Sequence, residues 1–259
     1  MAEKESRSFA LEFEHVSVSF GGLLALNDVS FRVGENEIVG LIGPNGAGKT
    51  TAFNVACGFQ TPTSGSVSFP SLDRRTLRPA QLAKAGVART LQGVGLFNNM
   101  SVLENVMAGA QSRPGGGTWS SVIGLPSVNR NEQALEIEAM ELLERLGIVK
   151  YASTVPRDIP YGIAKKLSIA RALMQHPKLL MLDEPASGLD ENELEEFLAL
   201  IVELRSSMSV LLVEHNMDFV MALAQQLIVL NFGQVIATGS PSEINKNPEV
   251  LAAYLGIDE

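Results

Sequence analysis

The sequence predicts an α/β protein whose core is a mostly parallel sheet, with an antiparallel β subdomain at the N-terminus and an inserted α-helical subdomain. After Gly162, helices alternate with apolar strands, which is the pattern of a parallel sheet with crossover helices. A continuous apolar run at 37–43 is followed by a Gly-rich turn and a helix. Between about 79 and 146 the pattern is helical instead, so we expect the sheet to be interrupted there.

The N-terminal elements are predicted to be strands. "LEFEHVSVSF" (Leu11–Phe20) and "ALNDVSFRV" (Ala25–Val33) alternate polar and apolar residues and are separated by a Gly-Gly pair, which indicates an antiparallel pair. The apolar run that follows leads into a helix near 49–58, and "GSVSF" (Gly65–Phe69) is predicted to be a short edge strand. These elements precede the helical part of the chain.

The middle of the chain is predicted to form a helical subdomain at about 93–176, inserted into a single domain that covers 1–259. Its strongest helix is the amphipathic segment at 131–147, and "RPGGGTWSSVIGLPSVNR" (113–130) is predicted to be a mobile insertion. The strands "KLLMLDE", "MSVLLVE" and "LIVLNFG" follow, each preceded by a helix, and are expected to complete the parallel sheet.

Composition excludes several classes of protein. Hydrophobic residues make up 46% and charged residues 19% of the 259 residues, which describes a folded chain. The formal net charge of −9 argues against nucleic-acid binding. Cys57 is the only cysteine, so it is expected to be a core residue without a disulfide. With no apolar run of about eighteen residues and no secretory signal in "MAEKESRSFA", a cytoplasmic location is expected.

A phosphate-binding loop is predicted at "GPNGAGKTT", which fits G-x-x-x-x-G-K-[ST]. Its glycines let backbone N–H groups turn inward, and the helix that follows adds its positive end. Lys49 is expected to reach the β- and γ-phosphates and Thr50 to bind Mg²⁺. A Gly-rich turn with an unrelated lysine is the alternative. The predicted nucleotide-binding residues of this P-loop are Gly43, Pro44, Asn45, Gly46, Ala47, Gly48, Lys49, Thr50 and Thr51.

Polar side chains at the ends of later strands are candidates for catalysis. Asp183 ends the strand "LLMLD" and is predicted to hold Mg²⁺, while Glu184 is predicted to orient the attacking water or accept its proton. The alternative is two solvated acids. His215 ends the next strand and is predicted to contact the γ-phosphate. Gln92 follows a possible strand and is predicted to reach Mg²⁺ or water. His15 and His176 are expected to be surface or satisfied residues.

These residues, in this order, resemble the ATP-binding cassette (ABC) ATPases over nearly the whole chain. The resemblance identifies the Walker A loop as "GPNGAGKTT", the Walker B strand as "LLMLDE" and the D-loop as "ASGLD", with Asp190 among the nucleotide-site residues. It makes Gln92 the Q-loop glutamine and His215 the switch histidine. It also places Phe20 where the family stacks an aromatic ring, usually tyrosine, on adenine; a core residue of the strand is the alternative.

Within this family, "RTLQGVGLFNNMSVLENVMAG" and "ATGSPSEINKNPEVLAAYLG" are similar to the larger ATPase subunit of branched-chain amino-acid importers. Importers of urea and other amides have similar cassettes. The resemblance implies ATP and Mg²⁺, a second ABC ATPase subunit in a homo- or heterodimer, integral membrane permease subunits, and indirectly a periplasmic or surface solute-binding protein. It also implies a peripheral position on the inner face of the cell membrane.

The signature motif, usually L-S-G-G-Q, departs from the family. In this chain it is "IPYGI" (159–163), in which Gly162 is retained and Tyr161 is familiar in the subfamily. Pro160 removes the serine hydroxyl but suits the first position of a helix. The resemblance implies that Pro160, Tyr161 and Gly162 face the nucleotide of the partner cassette. Two unequal sites are therefore hypothesised if the partner is a different cassette with a standard signature. Lys165 and Lys166 are predicted to be a solvated face rather than part of the site.

Three other functions remain open from the sequence. An ABC ATPase of an export or lipid-extraction system has a similar cassette. A non-transport ABC protein is disfavoured by the acidic charge and the absence of tandem cassettes. A nucleotide-binding regulator without hydrolysis is disfavoured by Glu184 and His215.

Overall fold

The computed structural model describes residues 8–70, 72–74, 78–90, 93–112 and 126–255. The described strands form two sheets, one of four strands and one of six. The predicted fold class is confirmed: the larger sheet is mostly parallel, and the N-terminal sheet is antiparallel.

The N-terminal sheet has the strand order β2-β1-β4-β5. It consists of β1 (Phe9–Phe20), β2 (Leu23–Gly34), β4 (Ser64–Phe69) and β5 (Leu72–Arg74). The prediction of an edge strand at "GSVSF" was wrong, because β4 pairs with β1 on one side and β5 on the other. β5 is too short to show an alternating pattern, so the sequence did not indicate it.

The larger sheet has the order β10-β9-β3-β8-β7-β6. Its strands are β3 (Ile38–Ile42), β6 (Val87–Arg89), β7 (Leu179–Asp183), β8 (Ser209–Val213), β9 (Gln226–Asn231) and β10 (Gln234–Gly239). Neighbouring strands are parallel except for the β9–β10 hairpin. β6 interrupts the segment from about 79 to 146, whose pattern is otherwise helical; it is the possible strand expected before Gln92, and it joins the sheet beside β7.

Two hydrophobic cores cover the two faces of the larger sheet. In β7, Leu180 and Leu182 point into the core formed with the helices, while Leu179 and Met181 point into the core shared with the N-terminal sheet. Successive side chains of a strand point to opposite faces. The run from Leu179 to Leu182 is therefore apolar at every position, because both faces are buried.

Eight α-helices pack around the sheets in the described part of the chain. They are α1 (Lys49–Ala56), α2 (Val102–Gly109), α3 (Pro126–Arg145), α4 (Tyr161–Leu173), α5 (Glu191–Leu204), α6 (Met217–Leu223), α7 (Pro241–Ile244) and α8 (Pro248–Leu255). α2, α3 and α4 pack against one another. Of the predicted mobile insertion, 126–130 are helical and 113–125 lie outside the described residues. None of the described helices combines the length and apolar character needed to cross a bilayer.

Candidate nucleotide-binding and hydrolysis site

The P-loop connects β3 to α1, as the sequence predicted. Gly48, the residue before the helix, has φ +103°, and a Cβ there would lie 2.7 Å from the carbonyl oxygen of Ala25. Only glycine meets both conditions without strain. Asn45, Gly46 and Thr50 are exposed, so this surface of the loop and the Thr50 hydroxyl are accessible to a ligand.

The loop is held from behind by backbone hydrogen bonds. The N–H of Gly233, in the β9–β10 turn, donates to the carbonyl oxygen of Ala47 at 3.0 Å, and the N–H of Asn27 donates to the carbonyl oxygen of Gly233 at 2.8 Å. These bonds connect the loop to both sheets and stabilise its shape.

Lys49 turns back onto its own loop. Its Nζ donates to the carbonyl oxygens of Gly43 at 2.7 Å and Pro44 at 2.9 Å, and the side chain is buried. Burial lowers the pKa of Lys49, and the nearby Glu184 carboxylate opposes this shift. The cation therefore lies at the phosphate-binding loop, where an anion would be a stronger partner than two neutral carbonyls. Thr51 is half-buried in the first turn of α1.

Asp183, at the end of β7, is paired with an arginine that sequence reasoning missed. Arg89 Nη2 donates to Asp183 Oδ2 at 3.1 Å, and Arg89 Nη1 donates to Asn54 Oδ1 of α1 at 3.2 Å. Burial raises the pKa of the Asp183 carboxyl, while Arg89 lowers it. The ion pair thus connects β6, β7 and the helix that follows the P-loop. The only sequence signal was a charged residue at the end of an apolar strand.

The donor set at this edge suits a hard cation. The Thr50 hydroxyl and the Asp183 carboxylate are oxygen donors of the kind that Mg²⁺ prefers, with nucleotide phosphates supplying further ligands. Within the described ranges there is no group of three or more His, Cys, Asp or Glu side chains that could hold a metal alone. The residues present therefore fit a metal that is shared with a bound phosphate.

Glu184 and His215 are brought together, as the predicted neighbouring strands require. His215 Nε2 lies 2.9 Å from Glu184 Oε1. Leu41 of β3 pairs with Val213 of β8, which pairs with Asp183, so the P-loop, His215 and Glu184 follow adjacent strand ends. Such edges, beyond the carboxyl ends of parallel strands, are the usual ligand sites of α/β sheets.

Of two further predicted residues, Phe20 is described by the structure and Gln92 is not. Phe20 ends β1 with 48% of its surface exposed, so the alternative of a core residue is wrong. Phe20 pairs with Leu23 of β2. Two residues further along β2, the carbonyl oxygen of Ala25 lies next to Gly48 of the P-loop. Gln92 lies outside the described residues, and its role stays a prediction.

The signature residues begin α4, but Pro160 is at the N-cap rather than in the first helical position. It has no side-chain acceptor for the helix N–H groups. Gly162 is buried, and a Cβ there would collide with the Glu193 carboxylate of α5. The Glu193 carboxylate therefore lies next to the N-terminus of α4, where the sequence predicted a phosphate of the partner's nucleotide. Asp190 is the N-cap of α5, where its Oδ1 accepts the N–H of Glu193 at 2.9 Å.

The predictions for the basic residues were wrong for the lysines at the start of α4 and correct for two histidines. The solvated face predicted for Lys165 and Lys166 was wrong for Lys165, which is buried and donates to backbone carbonyls near Glu184. Lys166 is half-buried, with 14% of its side chain exposed, and pairs with Glu196, so the prediction of a solvated residue was wrong for it too. His15 and His176 are exposed and paired with carboxylates, as expected.

Cys57 is buried, and burial raises the pKa of its thiol to about 12, which fits a core residue.

Comparisons with known proteins give matches over most of the chain. A family model described as ABC transporter matches residues 26–187, and a model described as branched-chain amino acid ATP-binding cassette transporter matches residues 234–259. The chain is 42% identical over 239 residues to the high-affinity branched-chain amino acid transport ATP-binding protein LivG of Salmonella typhimurium, covering 92% of this chain and 94% of that protein. It is 39% identical over 248 residues to BraF of Pseudomonas aeruginosa, which has the same description, covering 95% and 97%.

Solved structures resemble the whole fold. A nucleotide-free ATP-binding cassette from an ABC transporter superposes with a TM-score of 0.81 at 30% identity, covering 97% of this chain and 100% of that one. The ADP conformation of an ATP-binding cassette of an ABC transporter also gives a TM-score of 0.81 at 30% identity, covering 96% and 99%. The similarity thus extends over both sheets and the helices between them.

Proposed function

The chain belongs to the ABC transporter family, and we propose that it hydrolyses ATP to energise an importer of branched-chain amino acids or related small solutes. The observation that carries the proposal is the Glu184–His215 pair, 2.9 Å apart at the strand ends beside the P-loop. The C-terminal match at 234–259 and the descriptions of LivG and BraF support the choice of solute.

Binding of the nucleotide is assigned to the P-loop and its surroundings. The backbone N–H groups of the P-loop bind the phosphates, except at Pro44, which has none, and Lys49 exchanges its carbonyl partners for phosphate oxygens. Thr50 and Asp183 would hold Mg²⁺, which would neutralise charge on the phosphate oxygens. For Asp183 this requires its carboxylate to share or leave Arg89. Phe20 offers an exposed ring to adenine.

Hydrolysis is assigned to the residues beyond the P-loop. Glu184 orients the attacking water or accepts its proton, as a general base within hydrogen-bond reach does. His215 contacts the γ-phosphate and, through Nε2, holds the Glu184 carboxylate. Gln92 completes the set by contacting Mg²⁺ or the water.

The partners are proposed from the family. A second ABC ATPase subunit completes each nucleotide site, with Pro160, Tyr161 and Gly162 of this chain and Asp190 of its D-loop facing the partner's nucleotide. Integral membrane permease subunits bind the pair at the inner face of the membrane, and a periplasmic or surface solute-binding protein contacts those permeases.

The hydrolysis proposal is tested with the purified chain. We expect Glu184→Gln to lower ATP hydrolysis by about 10²- to 10⁴-fold while ATP is still bound, measured by phosphate release and by titration with a fluorescent nucleotide. The matched control is Glu195→Gln, an exposed glutamate of α5. Equal rates for the two variants would contradict the assigned role of Glu184.

The solute is tested separately, in the reconstituted transporter. With the co-purified membrane subunits in liposomes and the solute-binding protein added, we expect leucine, isoleucine or valine to stimulate hydrolysis and to accumulate inside. Stimulation by urea alone would move the assignment to amides, and release of lipid or solute outward would favour an exporter.

A further inference from the structure

We propose that Lys165 and Glu214 are positioning residues: together they hold the backbone at 184–186 and thereby fix the direction of the Glu184 side chain. The inference rests on the proposed role of Glu184 in hydrolysis. It concerns two buried charges of opposite sign, one on α4 and one following β8.

Lys165 donates hydrogen bonds to carbonyl groups of the backbone at 184–186. Its side chain is on α4, only 8% of the residue is exposed, and its Nζ donates to the carbonyl oxygens of Glu184 at 2.9 Å and Pro185 at 2.8 Å. A buried ammonium with two such bonds is confined to one position. The nearby Glu214 and Glu184 carboxylates favour its charged form, although burial lowers the pKa of Lys165.

Glu214 accepts hydrogen bonds from backbone N–H groups of this segment and of the residues that follow β8. It is 3% exposed, its Oε1 accepts the N–H of Ala186 at 2.6 Å, and its Oε2 accepts the N–H groups of His215 at 2.8 Å and Asn216 at 3.1 Å. Hydrogen bonds to a carboxylate are shorter and stronger than neutral ones. One side chain therefore joins the backbone after Glu184 to the backbone of His215, the two members of the catalytic pair.

The conformation of Glu184 explains why such restraint is needed. Its φ is +49°, a left-handed conformation that is unfavourable for a residue with a Cβ. Its own N–H donates to the carbonyl oxygen of Val213 at 2.9 Å. Such a conformation persists only where the surroundings determine it. Here Val213, Lys165 and Glu214 each hold a different backbone group of 184–186.

Lys165 also connects this backbone to the first turn of α4. The Tyr161 ring lies with its centroid 5.5 Å from Lys165 Nζ, and its Cε1 would be 2.9 Å from a Cβ on Gly188. The signature segment and the loop after Glu184 are therefore joined at two points.

The test is steady-state ATP hydrolysis by Lys165→Met, which keeps an unbranched chain of similar length and removes the ammonium. We expect kcat to fall by about 10- to 100-fold, the effect of a misplaced catalytic group, with KM for ATP within about threefold. The matched control, Lys166→Met, removes a neighbouring ammonium that faces Glu196 and is expected to keep the wild-type kcat. A kcat for Lys165→Met equal to that of the control overturns the proposal.

A double-mutant cycle separates positioning from general destabilisation. If Lys165 acts through Glu184, adding Lys165→Met to Glu184→Gln lowers kcat no further, whereas an independent effect multiplies. If Glu184→Gln alone does not reduce hydrolysis, the proposed function fails first. If it does, and Lys165→Met remains fully active, only the positioning role fails. Should Lys165→Met not fold, Glu214→Gln decides by the same kcat and cycle.

Discussion

His215 Nε2 lies 2.9 Å from Glu184 Oε1, at the ends of two parallel strands whose last residues, Asp183 and Val213, are in register. The hydrogen bond makes the direction of the Glu184 carboxylate depend on the imidazole. Because Glu184 also has a left-handed backbone, the pair is held by both main chain and side chain.

Removing the imidazole is expected to impair hydrolysis without preventing nucleotide binding. We predict that His215→Ala lowers kcat by about 10²-fold or more, because Glu184 loses its partner, while nucleotide affinity stays within about threefold. The measurement is phosphate release at saturating ATP, with His176→Ala as the control, since His176 pairs with Glu138 away from the P-loop. A similar kcat in both variants would argue against the pair.

Removing Arg89 is expected to lower the stability of the fold and to raise the pKa of Asp183. The pair is largely buried, with 14% and 10% of the two side chains exposed. Truncating one partner of a fully buried ion pair costs on the order of 3 kcal/mol, so Arg89→Met should lower the free energy of unfolding by up to about that amount, measured by urea denaturation. Arg89 also lowers the pKa of Asp183, so its loss raises that pKa further above the ordinary value. The neutral carboxyl, a poor Mg²⁺ ligand, is then populated at higher pH.

The acid limb of the pH–rate profile should therefore move toward neutral pH in Arg89→Met. The raised pKa also affects stability. A carboxyl whose pKa is raised in the folded state favours folding at low pH, and that contribution is lost as pH rises through the folded pKa. Arg89→Lys keeps the cation and should move the limb less. An unmoved limb in Arg89→Met would contradict this account of Asp183.

Two glycines with similar backbone angles provide a matched test of the contact between Tyr161 and the D-loop. Gly188 has φ +77° and Gly147 has φ +69°, but a Cβ on Gly188 would be 2.9 Å from the Tyr161 ring, whereas a Cβ on Gly147 has nothing within 4 Å. Alanine should cost about 1–2 kcal/mol at both positions for its left-handed conformation. Gly188→Ala should cost about 1–3 kcal/mol more for the clash. Equal urea-denaturation losses would show that the ring moves freely.

The N-cap position of Pro160 predicts how α4 responds to a restored serine. A serine there supplies the acceptor that proline lacks, so Pro160→Ser should be about 1 kcal/mol more stable than Pro160→Ala. Comparing the two by thermal unfolding removes the effect of losing the proline ring, which both variants share. No difference would mean that the hydroxyl does not cap α4.

The altered signature predicts unequal sites when the partner cassette carries a standard motif. A missing hydrogen bond to a charged group is worth about 1.5–3 kcal/mol, and only the partner's nucleotide is affected. Glu184→Gln in this chain and the equivalent change in the partner should therefore reduce ATPase activity of the assembled pair by different factors. Equal reductions would contradict the asymmetry.

The sequence by itself determined the parts of this protein that depend on contiguous residues. The P-loop, the apolar strands that end in Asp183 and near His215, and the alternation that produces a parallel sheet are local patterns, and their chemistry is set by residue type and spacing. The alternation also indicated that the strand before His215 lies next to the strand that ends in Asp183, and the contact between His215 and Glu184 was seen only in the structure.

Only the tertiary structure decided which polar side chains are buried and what they hold. Nothing in "AKKLS" distinguishes Lys165, which holds the backbone after Glu184, from Lys166, which pairs with Glu196. Nor does the local sequence distinguish the buried Glu214 carboxylate from a solvated one. Burial depends on which distant element packs over a side chain, and these contacts join residues far apart in the chain. The Glu193 carboxylate over Gly162 has the same origin, because α4 and α5 meet only in the folded protein.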